Sequence, residues 1–154
     1  MHRLMRLLLW GVALCSLSAQ ETNVVTVRSA LTKVKPGEKT EARLTIALRD
    51  GYHVSSNTPS DKYYIPLTLT WNSKLIEAPE VTFPKAQMEK YSFTPTPISV
   101  FSGNFDLVTK FTVSASAPGG QVVVPGKLRY QACNDKMCLM PKTVDVTLAL
   151  DVQR

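Results

Sequence analysis

Two cysteines four residues apart carry the most specific chemistry in this 154-residue sequence. They lie in Tyr130-Gln131-Ala132-Cys133-Asn134-Asp135-Lys136-Met137-Cys138-Leu139-Met140-Pro141, between two stretches that read as β-strands. A disulfide here closes a six-residue loop, and chain-entropy reasoning values so short a crosslink at only about 2 kcal/mol. A structural staple is therefore one reading, although a weak use of the bond. A redox couple is another: Lys136 between the cysteines favours a thiolate electrostatically, Asp135 opposes it, and a small exposed ring is of the exchangeable kind. A third reading is a soft-metal site, since Cys133, Met137, Cys138 and Met140 gather thiolates and thioethers that select Cu(I). Against it, methionine beside a strand is usually core filler, and zinc would want four ligands. On residue types alone these three stay open.

Elsewhere the chemistry is thin. His53 is the sole histidine beyond the N-terminal segment, and no Gly-x-Ser-x-Gly elbow or phosphate-cradling glycine loop accompanies it. A lone histidine in a strand reads as a satisfied structural residue, and hydrolysis is not indicated. The formal charge of +6 falls to about +4 without Arg3 and Arg6, and the remaining lysines are scattered. A nucleic-acid surface needs clustered basic residues, so no nucleic acid is expected.

The N-terminus bears on compartment. His2, Arg3 and Arg6 precede an apolar run, Leu7 to Leu14, and then the small residues Ser16, Ser18 and Ala19. The run is well short of the ~20 residues that span a bilayer, so residues 1–19 read as a secretory signal peptide, cleaved near Ala19 or Gln20. Cys15 follows Leu14 rather than a small residue, which argues against lipidation and sends Cys15 away with the signal. Residues 20–154 then form one extracytoplasmic domain without stable membrane insertion, in a compartment that permits a Cys133–Cys138 disulfide.

The elements that must position the cysteines are strands. Ala42, Leu44, Ile46 and Leu48 alternate with polar residues, as do Val144, Val146, Leu148, Leu150 and Val152, the pattern of half-buried strands. A strand is expected over Tyr63–Trp71, at an edge because Pro66 interrupts it. Ile98–Phe101 and Phe105–Ser114 look like a hairpin around Ser102-Gly103-Asn104. Residues 84–97, with three prolines, read as an irregular loop of the length that is usually functional. Seven to nine short strands with no helical period predict an all-β, immunoglobulin-like Greek-key sandwich.

The motif around the cysteines resembles the N-terminal periplasmic domain of the DsbD thiol:disulfide interchange family. The similarity rests on Tyr130 to Cys133, Cys138, Pro141 and the following Lys142-Thr143-Val144, together with Gly51-Tyr52-His53-Val54-Ser55-Ser56-Asn57, Pro59 and Ile65-Pro66. The resemblance implies an immunoglobulin-like fold whose cysteine pair cycles between dithiol and disulfide. It assigns mixed-disulfide formation to Cys133 and resolution to Cys138, with no cofactor and no metal. Electrons would come from a thioredoxin-like domain and leave to periplasmic thioredoxin-fold isomerases or cytochrome-maturation proteins. The family's aromatic cap corresponds to Glu89-Lys90-Tyr91-Ser92-Phe93, so Tyr91 or Phe93 is the candidate cap, against a reading of both as ordinary packing aromatics. Lys136 and Tyr130 are candidate modulators.

Three features depart from the family pattern. The spacing is four residues where five is frequent, and the cap segment is only loosely similar. The sequence also reaches Arg154 without a membrane or thioredoxin-like domain, so a stand-alone monomer reduced by a separate membrane donor is expected. The alternatives are a non-catalytic binding module with a structural disulfide, and a Cu(I) carrier.

Overall fold

The computed structural model describes residues 23–154. The expected signal peptide and Cys15 lie outside the described residues. Among those described there is no helix, and twelve strands form three four-stranded sheets. β1 (Val25–Ser29), β3 (Lys39–Leu48), β9 (Asn104–Val113) and β6 (Ile76–Thr82) make one sheet, in the order β1-β3-β9-β6. β2 (Thr32–Val34), β12 (Lys142–Val152), β10 (Gly120–Tyr130) and β5 (Thr68–Trp71) make the second, in the order β2-β12-β10-β5. All pairings are antiparallel except β2 with β12.

Alternation in the sequence decides which faces meet. Side chains of a strand point to opposite faces in turn, and Ala42, Leu44, Ile46 and Leu48 of β3 are all buried. So are Val146, Leu148, Leu150 and Val152 of β12. With Leu107, Phe111, Val124 and Leu128 they form one core between the two sheets. Trp71 Nε1 donates to Thr109 Oγ1 at 3.0 Å, a hydrogen bond from β5 to β9 that crosses this core. The architecture is an all-β, immunoglobulin-like sandwich.

The third sheet, two of whose strands run on directly from sandwich strands, carries Cys133. β11 (Ala132–Cys133), β4 (His53–Ser55), β8 (Ile98–Ser102) and β7 (Gln87–Glu89) lie in the order β11-β4-β8-β7. Only Gln131 separates β11 from β10, and only Gly103 separates β8 from β9. The chain thus passes from the main sheets into the third without a long connection.

Several expectations are corrected. β8 and β9 are not a hairpin: β8 pairs with β4 and β7, whereas β9 pairs with β3 and β6. Gly103, at φ 66°, takes a left-handed conformation open to glycine and turns the chain from one sheet into the other. The strand expected over Tyr63–Trp71 begins only at Thr68. Pro66 has no N–H for a ladder, and the amides beside it are used elsewhere, Ile65 N to Gln131 Oε1 (3.2 Å) and Leu67 N to Ser56 O (3.1 Å). β5 is nonetheless an edge strand. The loop expected over residues 84–97 contributes β7 to the third sheet. The strands number twelve because short pieces pair there, below the length that periodicity detects.

Candidate functional site: the cysteine ring and its cover

Backbone geometry closes the ring before the sulfurs do. Asn134 N donates to Met137 O (2.9 Å) and Leu139 N to Ala132 O (2.8 Å), so Cys133 and Cys138 face each other as an antiparallel bridge. Asn134 Oδ1 accepts from the backbone amides of Lys136 and Met137, both at 2.9 Å, which fixes the turn. An asparagine side chain that bonds amides two and three residues on stabilises such a turn. The two cysteines form a disulfide, with Cα atoms 3.9 Å apart. Gln131 anchors the ring's base, its Oε1 taking Ile65 N and its Nε2 donating to Leu139 O (3.3 Å).

The two sulfurs differ in surroundings. Cys133 is buried, with 1% of its surface exposed, whereas Cys138 is half-buried. In the β4–β11 ladder Cys133 stands directly opposite His53. Such cross-strand partners share one face, with Cβ atoms about 4.5–5.5 Å apart. His53 is itself only 3% exposed, and its Nε2 has no hydrogen-bond partner among the described residues. The expectation of a satisfied structural histidine is corrected here, because burial removes water from Nε2 and neither neighbouring strand supplies a partner.

A cover of aromatic rings lies over His53. Tyr91 stacks on the imidazole with centroids 3.9 Å apart and planes inclined by 14°. Phe93 is stacked on Tyr91 at 5.6 Å and is parallel to His53 at 6.5 Å. The loop that carries them touches the ring through Ser92 Oγ, which donates to Asp135 O at 2.6 Å. Tyr91 and Phe93 thus stack on the residue opposite Cys133, and Ser92 between them bonds the cysteine ring. The Tyr91 hydroxyl donates to Glu89 Oε2, and Ser102 Oγ reaches Gln87 Oε1 (2.7 Å) and Glu89 Oε1 (3.4 Å).

Electrostatics follow from this enclosure. Burial holds His53 below its ordinary pKa of 6.5, and the Glu89 carboxylate, the smaller effect, pulls the other way. Burial first, then the bond to Glu89 and the charge of Glu89, raises the Tyr91 phenol, which stays protonated. A groove of about 380 Å³ opens beside these groups, lined by Asp50, Tyr52, His53, Glu89, Tyr91 and Asp135 among others.

The other expected modulators flank or belong to the ring. Tyr130 is buried in the core at the end of β10, and burial raises its phenol. Lys136 is exposed at the tip of the ring's turn. Met137 and Met140 are 58% and 83% exposed, so neither is the core filler expected of a methionine beside a strand. No three His, Cys, Asp or Glu side chains gather as a cation site among the described residues. Sequence reasoning missed Glu89 and the pairing of His53 with Cys133. The only signal was the Gly51-Tyr52-His53 segment, which marks the residue without placing it.

Comparison with known proteins gives this geometry a context. A family model described as "Thiol:disulfide interchange protein DsbD, N-terminal" matches residues 21–150. The N-terminal periplasmic domain of ScsB from Proteus mirabilis superposes with a TM-score of 0.61 at 13% identity, over 88% of this chain and 49% of that one. The chain thus spans about half the length of that structure. The DsbD N-terminal domain of Neisseria meningitidis, in the reduced form, aligns at 14% identity with a TM-score of 0.41, over 74% of this chain and 80% of that one. No curated protein matches. A match over residues 21–150 runs through the sandwich, His53 and both cysteines, and the chain belongs to the DsbD N-terminal family.

Proposed function

We propose that this chain is an extracytoplasmic thiol–disulfide exchange module that passes electrons between thioredoxin-fold partners through its Cys-x4-Cys pair. One observation carries the reading. The disulfide joins two residues of a turn whose backbone already closes through Asn134–Met137 and Leu139–Ala132, so as a staple it is redundant. It links no two sheets and closes no long loop, and its place opposite His53, which carries the Tyr91–Phe93 stack, instead suits a bond that is made and broken under control.

Exchange on this ring proceeds in two displacements. A donor thiolate attacks Cys133 Sγ, forming a mixed disulfide, and Cys138 leaves as a thiolate that takes a proton. The donor's second thiol then attacks its own sulfur in the mixed disulfide, releasing Cys133 as a thiol and the donor as a disulfide. Two electrons and two protons have moved to this chain. In the onward step Cys133 attacks a client disulfide and Cys138 resolves the product, returning both electrons. Cys133 is buried, so docking must displace the Tyr91–Phe93 loop from the ring. Exposed Met137 and Met140 offer a partner flexible apolar contact beside the sulfurs.

The same reading takes residues 1–19 as a signal peptide and 20–154 as the domain, acting in the periplasm as a monomer. Its reductant would be a separate membrane donor, and its clients thioredoxin-fold proteins such as isomerases or cytochrome-maturation factors. Cys133 and Cys138 are the reacting residues, Tyr91 and Phe93 the cover. Two measurements test this. The Cys133–Cys138 couple should equilibrate with glutathione or dithiothreitol above about −250 mV, and a value below about −300 mV would mark a structural bond. Cys138→Ala should accumulate a mixed disulfide with a thioredoxin-fold protein through Cys133, and its absence sinks the assignment.

A further inference from the structure

The buried Nε2 of His53 is the polar atom that the fold leaves unexplained. An unpaired buried nitrogen costs roughly 1–3 kcal/mol, so such groups are rare unless another state of the protein satisfies them. The disulfide form has no hydrogen to give: neither sulfur of Cys133–Cys138 carries a proton. Reduction changes that, because Cys133 then becomes a thiol directly opposite His53 on the same face of the β4–β11 ladder. We infer that His53 is the general base for the Cys133 thiol, a role that rests on the exchange reading above and assigns its proton path.

The surroundings of the imidazole are those such a pair requires. A thiol is activated by an adjacent base, and a neighbouring imidazolium favours its thiolate. The groups that face His53 come from every element around it. Glu89 at the end of β7 is the carboxylate that stabilises an imidazolium, and it is itself held by Tyr91 and Ser102. Tyr91 covers the ring face, Ser102 of β8 is its other cross-strand neighbour, and Phe93 lies beyond Tyr91. Arg49 and Asp50 of the preceding turn, and Asp135 of the cysteine ring, border the same groove. Enclosed in this way, with water kept off by stacked aromatics, His53 has one new hydrogen-bonding partner available on reduction, the Cys133 thiol.

The step balances. The Cys133 S–H proton passes to His53 Nε2, and the thiolate attacks one sulfur of a partner disulfide. A Cys133–partner S–S bond forms while the partner's own S–S bond breaks. Its leaving sulfur carries the electron pair and takes the proton from the imidazolium. Cys138 then attacks Cys133 Sγ, giving up its thiol proton to the second partner sulfur. The partner gains two electrons and two protons, and this chain regains its disulfide.

The test reads protons rather than turnover. Full-length protein carrying Cys138→Ser and cysteine labelled with carbon-13 at Cβ is titrated by NMR, with His53, His53→Phe or His53→Gln. With His53 present, the Cys133 thiolate should appear at lower pH, with about tenfold more thiolate at pH 7 than in either variant. Phenylalanine keeps the stacking on Tyr91 and glutamine keeps a hydrogen-bonding group, and neither takes the proton. Identical Cys133 titrations in folded variants overturn the proposal. A second reading needs no change at position 53: the His53 ring in otherwise unaltered protein should titrate differently in the dithiol and disulfide forms, and one unchanged midpoint also overturns it. Failure of the exchange reading looks different. A Cys133 titration that depends on His53, without any mixed disulfide, keeps the pair and discards the exchange. Normal exchange with no dependence on His53 does the reverse.

Discussion

Two opposed forces act on the imidazole of His53, and their order sets how the protein responds to acid. Burial, the larger, lowers its folded pKa below 6.5, and Glu89 opposes it. In the unfolded chain the histidine returns to its ordinary value, so between the two pKa values the unfolded state binds more protons. Stability therefore rises with pH through that window. The contribution is complete above about pH 6.5 and is lost as pH falls through the folded pKa. Chemical denaturation of the oxidised protein at pH 7.5 and 5 should show the loss, and His53→Phe should flatten it. Asp106, whose pKa is lowered chiefly by its bonds to Thr45 and Arg43, acts only below about pH 4 and does not obscure the window. None of this was legible in the sequence. β4 is three residues long and buried throughout, so no alternation distinguishes the face of His53 from the other. The cysteines were legible because their type and spacing are local, whereas the partner of Cys133 lies eighty residues earlier in the chain.

At the scale of elements, the Ser92 hydroxyl ties the Tyr91–Phe93 loop to the ring. Ser92 is exposed, and its hydroxyl bonds Asp135 O, a polar link between the loop and the ring. Ser92→Ala should leave the folded state nearly as stable, within about 0.5 kcal/mol. Under the proposal that the loop governs access to Cys133, reduction of the disulfide by dithiothreitol should nevertheless become several-fold faster. Stopped-flow reduction beside thermal unfolding checks this, and an unchanged rate would detach the loop from control of the sulfurs. The aromatic residues of this loop could be nominated from their similarity to a family segment. Their stack on His53 could not, since β7 begins inside a proline-rich stretch with no strand period.

At the scale of the whole molecule, β5 lies close against β10 within the second sheet, with Trp71 paired to Gly126. Gly126 allows this: a Cβ there would stand 2.4 Å from Trp71 Cε3 and 2.7 Å from Thr70 O. The indole is fixed by its bond to Thr109 of the facing sheet, so it cannot give way freely. Gly126→Ala should cost about 1–3 kcal/mol as an overpacked site, read as a lower Tm with an unchanged thiol potential. A neutral substitution would mean that the indole repacks. The sandwich was legible at this scale because long strands such as β3 and β12 repeat their pattern over many residues. The third sheet was not, because its strands are short, two of them change partners at single residues such as Gly103, and pairing between distant segments leaves no local mark.

That third sheet has a consequence for how the protein is made. Residues 133 and 138 are close enough in sequence for their sulfurs to meet in an unfolded chain, where closing so short a loop is fast. They are also the only cysteines among the described residues, so no competing pairing arises there. The neighbours of Cys133 are brought in from residues 53, 91 and 102, and such long-range contacts come late in folding. The unfolded chain can therefore acquire its covalent bond at once, as any simple dithiol would. The contacts around Cys133 are added only as the strands assemble, so the bond can form before the site that surrounds it.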